Sequence, residues 1–160
     1  MKKEILLIYG SGGHNEDARR LLESLKPYLY DYEFISLCDD DVRYILTEKY
    51  YKMPTVTDKF SYLKVLFNIP KSLVSAIRLF SKMRREHYFQ YAISTGPGIT
   101  MIMAPILRYY KIPIIYIENA SRFYSRSLAG RFVYYFAKYF FVQNKELLNL
   151  YPKAIYKGRL

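Results

Sequence analysis

Two glycine-rich turns constrain this chain more than any other feature of its sequence. Gly10-Ser11-Gly12-Gly13-His14 and Ser94-Thr95-Gly96-Pro97-Gly98 each follow a short apolar run and precede a helical pattern. A strand entering a helix through a tight turn is half of a βα unit, and repeated βα units build a parallel sheet. Residues 4–9 and 91–94 read as the strands feeding the two turns, and similar runs recur at 32–38, 112–117 and 140–143. The expected fold is a single Rossmann-like, doubly wound α/β domain over residues 1–160. Asn15 is expected to cap a helix reaching Leu25, Pro70 to sit in a first helical turn, and Pro105 to kink or delay a third helix.

At 160 residues and 51% hydrophobic, the chain can bury one core but not two. The single cysteine, Cys38, closes an apolar stretch and has no partner for a disulfide, so it reads as a buried hydrophobe in a reducing cytoplasm. With only two histidines far apart, a zinc site has little support and no cofactor is expected. His87, beside a charged stretch, reads as a surface residue. No apolar run approaches the ~18 residues of a spanning helix, and the N-terminus lacks the core of a signal peptide, so neither a membrane span nor export is expected.

Charge is divided unevenly. Residues 1–58 carry a net −3 and residues 59–160 a net +14, which suits an anionic lipid surface, a nucleic acid or a phosphorylated ligand. Within 59–85, Lys71, Ser75, Arg78, Lys82 and Arg85 fall on one helical stripe, with Leu73, Ala76, Ile77, Leu79, Phe80 and Met83 across from it. Phe60, Leu63 and Phe67 precede them. This is the makeup of an interfacial membrane segment, and equally of a core helix with a solvated basic face.

The glycine turns carry the candidate chemistry. Backbone N–H groups of Gly10, Ser11, Gly12 and Gly13 at a helix start can cradle phosphate, and His14 at the mouth can act as a general base. Asn15 stands where a dinucleotide fingerprint needs its third glycine. Ser94, Thr95, Gly96 and Gly98 are expected on the same edge of the sheet, joined by Glu118, Asn119 and Arg122 at the end of another strand. From the residues alone two readings stay open: a small nucleotide-cofactor protein using Asp39 on a ribose, and a basic nucleic-acid module lacking any known motif.

The two turns, Tyr116-Ile117-Glu118-Asn119 and the stretch from Tyr151-Pro152 through Tyr156-Lys157-Gly158-Arg159-Leu160 together resemble the Alg-type oligosaccharide biosynthesis family. Within it the chain is similar to the bacterial PssD, CpsF and EpsE type proteins of capsule and exopolysaccharide synthesis, and to the N-terminal, acceptor-binding domain of MurG. The resemblance implies one half of a split GT-B glycosyltransferase on the cytoplasmic face of the membrane, inactive alone. A partner chain would bind the nucleotide sugar, and this chain a polyprenyl-diphosphate-linked acceptor, without nucleic acid. Gly12, Gly13 and His14 would contact the acceptor, Glu118 would line the cleft, and residues 151–160, through Tyr151, Pro152, Tyr156, Gly158 and Leu160, would dock the partner. The MurG-like histidine before the strand-end glutamate is Ile117 here, so no role follows from it.

Overall fold

Alternate residues of the first apolar run point to opposite sides, and two separate cores result. Leu6 and Ile8 join one; Ile5, Leu7 and Tyr9 join the other. A strand buried on both faces reads as a continuous hydrophobic run, as a central parallel strand must. The computed structural model describes residues 3–39, 47–53 and 62–160, with side chains throughout except at 62–69.

Seven strands form one sheet in which every pairing is parallel: β1 (Lys3–Tyr9), β2 (Tyr32–Cys38), β3 (Lys49–Lys52), β4 (Phe89–Ser94), β5 (Ile114–Ile117), β6 (Tyr139–Val142) and β7 (Ile155–Tyr156). Their order is β3-β2-β1-β4-β5-β6-β7, so the chain reverses its direction of travel between β1 and β4. The helices are α1 (Gly13–Leu25), α2 (Tyr62–Glu86), α3 (Ile99–Tyr109) and α4 (Leu128–Val133), with a 3-10 turn at Lys145–Asn149. Residues of α2, α3 and α4 share a core cluster on one face of the sheet. Ala18, Leu21 and Leu22 of α1 pack on the other face. The expected α/β architecture is the observed one.

Several local expectations are corrected. Gly12, with φ 67°, is the N-cap of α1 in place of Asn15, since glycine takes a left-handed turn without steric cost. Pro70 lies inside α2, not in its first turn. β5 begins at Ile114, two residues late. The reason is that α3 ends in a Schellman motif, with Lys111 N–H bonded to the Arg108 carbonyl and Ile112 N–H to the Leu107 carbonyl. The polar edge strand β3 and the two-residue β7 carry too little apolar pattern to be read from sequence.

On α2 the basic stripe Lys71, Ser75, Arg78, Lys82 and Arg85 is exposed throughout. Ala76, Phe80 and Met83 are buried, but Leu73 and Ile77, expected opposite the stripe, are exposed at 36% and 43%, beside Val74 at 47%. Apolar and cationic side chains therefore share the outer surface of the helix. Phe60 lies outside the described residues. No described helix is long and apolar enough to cross a membrane.

His87 is buried, not at the surface. Its Nδ1 lies 2.6 Å from Glu4 Oε1 and its Nε2 3.0 Å from Tyr51 Oη. Tyr51 in turn donates to Glu86, 3.0 Å away, and burial, then the Glu86 bond, pushes its phenol up to about 12. This network ties β1, β3 and the end of α2 together at the N-terminal edge of the sheet. His87→Ala should therefore lower the stability of the chain by about 2–4 kcal/mol in urea unfolding, by creating a cavity and stripping Glu4 of a partner. An unchanged midpoint would show that the network bears no load.

Candidate functional site

In an open parallel sheet the ligand crevice lies beyond the carboxyl ends of the strands, where the strand order reverses. Here that place is between β1 and β4, and both glycine turns open onto it. Gly10 lets them meet: a Cβ there would lie 2.8 Å from Pro97 Cβ and 2.9 Å from Asp39 Oδ1. The turns are then stitched together twice. His14 Nδ1 lies 2.6 Å from the Thr95 carbonyl, and Thr95 Oγ1 donates to the His14 carbonyl at 2.8 Å.

The first of these bonds fixes the chemistry of the histidine. A carbonyl only accepts, so Nδ1 carries the proton, and a neutral ring then presents its lone pair at Nε2. Asn119 closes the site from β5, its Nδ2 lying 3.5 Å from His14 Nδ1. Both are donors, so this is a packing contact. Asn119 Oδ1 accepts from Ser121 N at 2.9 Å, which sets the orientation of the amide. A side chain at Gly96 (φ 94°) would press on Tyr116 Oη and the His14 ring. Ser94 Oγ bonds Thr100 Oγ1 at 2.7 Å and receives Gly96 N–H, bracing the second turn from within.

Asp39 bears on the proposed phosphate cradle and on the ribose reading alike. Ser11 N–H donates to Asp39 Oδ1 at 3.2 Å, so one turn amide is already engaged by a carboxylate that would repel a phosphate at that point. The carboxylate is equally committed with respect to a ribose. Gly12 and Gly13 remain exposed at the helix start, where the first helical amides lack intrahelical acceptors.

Glu118 does not line the crevice surface. It is fully buried. Its Oε2 accepts from Ser127 Oγ and Tyr151 Oη, each at 2.9 Å, and its Oε1 from the Asn119 N–H at 3.1 Å. Arg122, expected beside it at the strand end, is exposed and bonds Ser125 Oγ. The carboxylate thus anchors the β5 end and holds Asn119. Gly130 makes room for it, since a Cβ there would collide with Glu118 Oε2 and Tyr151 Oη. Burial, then the Glu118 charge, drives the Tyr151 phenol far above its ordinary range.

Sequence reasoning missed two residues. Asp17, one helical turn after His14, is buried, and burial raises its carboxyl above the usual range despite bonds from the Ala120 backbone and Gln143. Gln143 Nε2 donates to Asp17 Oδ2 at 3.3 Å and to the Glu118 carbonyl at 3.2 Å, while its Oε1 accepts from Leu160 N–H at 2.9 Å. The only signal was an acid on the apolar side of α1 and a glutamine at the end of an apolar strand. Among the described residues, no group of three metal-ligating side chains comes together.

The 151–160 segment is divided by the fold. Tyr151 points inward and is fully buried, so it is corrected from docking residue to core residue. Pro152 and Gly158 are exposed, Tyr156 lies in β7, and Leu160 packs against the α1-side core. Beside Leu160 an apolar pocket of about 330 Å³ opens over Ile93, Ile115, Ile117 and Phe141.

A family model described as "Oligosaccharide biosynthesis protein Alg14 like" matches residues 5–160. The chain belongs to the Alg14-like family. It is 26% identical to the human "UDP-N-acetylglucosamine transferase subunit ALG14", with 98% of this chain and 82% of the relative aligned. To the protein of the same name from Kluyveromyces lactis it is 30% identical, covering all of this chain and 80% of the relative. Among solved structures it is similar in fold to Acinetobacter baumannii MurG (TM-score 0.64, 14% identity, 90% of this chain and 42% of that one). A UDP-N-acetylglucosamine 2-epimerase gives a TM-score of 0.67 at 13% identity, with 96% and 45% covered. The Alg14-like chain spans less than half the length of these structures.

A buried Asp17 with a raised carboxyl has a definite pH signature. The folded state holds its proton to higher pH than the unfolded chain does, so stability falls as pH rises from the unfolded to the folded pKa. Asp17→Asn should remove that slope and raise the unfolding midpoint at pH 7 relative to wild type. Parallel urea curves for the two proteins between pH 4 and 7, offset by nothing at pH 7, would refute the assignment.

Proposed function

We propose that this Alg14-like chain is the acceptor-side half of a two-chain GT-B glycosyltransferase. Its crevice binds a polyprenyl-diphosphate-linked sugar at the cytoplasmic face of the membrane, and a partner chain brings the nucleotide sugar. The relatives are named as subunits of a UDP-N-acetylglucosamine transferase, which supports a UDP-sugar donor and a dependence on the partner for activity. The capsule or exopolysaccharide setting follows from the PssD, CpsF and EpsE resemblance alone.

The observation that carries the reading is the His14–Thr95 bond, because it presents Nε2 as a base at the switch point. As the acceptor hydroxyl attacks the anomeric carbon, its proton passes to His14 Nε2, and the nucleoside diphosphate leaves with the electron pair of the broken C–O bond. Asn119 positions the ring, and Glu118 positions Asn119. Gly12 and Gly13 leave the helix start open to the acceptor diphosphate, with Arg122 at the rim.

Two surfaces support the remaining contacts. Leu73, Val74 and Ile77 among the lysines and arginines of α2 suit shallow insertion into an anionic leaflet. The apolar pocket beside Lys157, Gly158 and Leu160 suits the partner chain.

With the partner present, His14→Ala should lower transfer by about 10²-fold or more, the range for a positioned acid-base group. A wild-type rate removes His14 from the chemistry. Separately, the chain should sediment with anionic liposomes and be released when Lys71, Arg78, Lys82 and Arg85 are changed to glutamate. Equal sedimentation of that variant at low salt would make the stripe a solvated face only.

A further inference from the structure

At the opposite edge of the sheet from the crevice, two open clefts of about 530 and 570 Å³ flank the turn between α3 and β5. They share Lys111, Ile112 and Pro113 as a common wall. The first adds Arg84 and the second Arg108 and Lys138, so four cations converge there, and no carboxylate lines either cleft. The neighbouring acids are committed elsewhere: Glu4 holds His87, and Glu86 holds Lys49 and Tyr51. No ion pair forms on any of the four cations among the described residues. Two are held over aromatic faces instead, Arg84 over Tyr110 at 4.6 Å and Lys138 over Tyr139 at 5.5 Å, which orders a cation without neutralising it.

Lys111 is the second, independent observation. It occupies the left-handed position of the Schellman motif, φ 57°, and is the one described residue other than glycine with positive φ. Glycine is the usual occupant because a Cβ is strained there. A lysine at that position, between two cationic clefts, is explained if its ammonium is needed.

The geometry points to a phosphate-binding site at this rim, distinct from the acceptor crevice. Its ligand carries one or two phosphate groups, supplied either by an anionic phospholipid headgroup or by a soluble phosphate ester. Arg84 lies at the end of α2, so the rim continues the cationic surface of that helix. Lys111 belongs to the shared wall and so borders both clefts, with Arg84 lining one and Arg108 and Lys138 the other.

Lys111→Gly separates function from folding, because it relieves strain while deleting the charge. Its melting temperature should rise by about 2–4 °C. Calorimetric titration with sodium pyrophosphate at low salt should be saturable for wild type and about tenfold weaker for Lys111→Gly and for the Arg108→Gln/Lys138→Gln pair. At physiological salt, where charges on α2 are largely screened, the quadruple charge reversal should weaken pyrophosphate binding much less than either rim variant, which separates this site from the membrane stripe. Vesicles of 3:1 phosphatidylcholine:phosphatidylglycerol distinguish the sources. If sedimentation falls in the rim variants and pyrophosphate competes with it, the headgroup is the ligand. If only pyrophosphate binding falls, the ligand is soluble. Wild-type pyrophosphate affinity together with wild-type sedimentation in both rim variants would overturn the proposal, as would failure of the wild-type chain to bind either probe.

Discussion

Because every strand runs in the same direction, every strand-to-helix turn is delivered to one edge of the sheet. That single constraint assembles the crevice from residues separated by most of the chain. It brings the turn after β1 beside the turn after β4, where the strand order reverses, and sets the end of β5 next to both. The bonds between His14 and Thr95 are consequences of this placement. They would be impossible in an antiparallel arrangement, which would send alternate turns to opposite edges.

Around that crevice the polar groups are arranged in two shells with different exposure. His14 and Asn119 are half-buried, and Gly12 and Gly13 open to solvent. Behind them Glu118 and Asp17 are buried and bonded, through Ser127, Tyr151 and Gln143. A buried carboxylate is tolerated only when its oxygens are satisfied, and here the satisfying groups come from the segments that follow β5, β6 and the 3-10 turn and from the N-cap of α4. The result is a rigid floor: moving the strand end would strip Glu118 of its partners. Gln143 extends this floor to Leu160, so the surface proposed for partner docking and the floor of the crevice share one side chain.

The outer surface of the helical layer carries a different chemistry. Exposed aliphatic and aromatic side chains are interleaved with arginines and lysines along α2 and α4, with few acids to compensate them. Among the described residues, several acids of the −3 half are used instead within α1 and at the N-terminal edge of the sheet, as with Glu16 between Arg19 and Arg20 and Glu4 on His87. The charge asymmetry visible along the sequence therefore becomes a spatial one.

The sequence by itself determined the fold class, the two glycine turns, the span of β2 to the residue and the segregation of charge, because periodicity, turn chemistry and composition are local properties. It placed His14 correctly at the first turn. It could not assign Glu118 to the interior, nor Leu73 and Ile77 to the surface, since burial depends on which neighbours the sheet order supplies. His87, Asp17, Gln143 and Tyr151 were opaque for the same reason: each acquires its meaning from a partner 17 to 126 residues away, and only tertiary contact decides whether such a polar group is solvated or locked in the core.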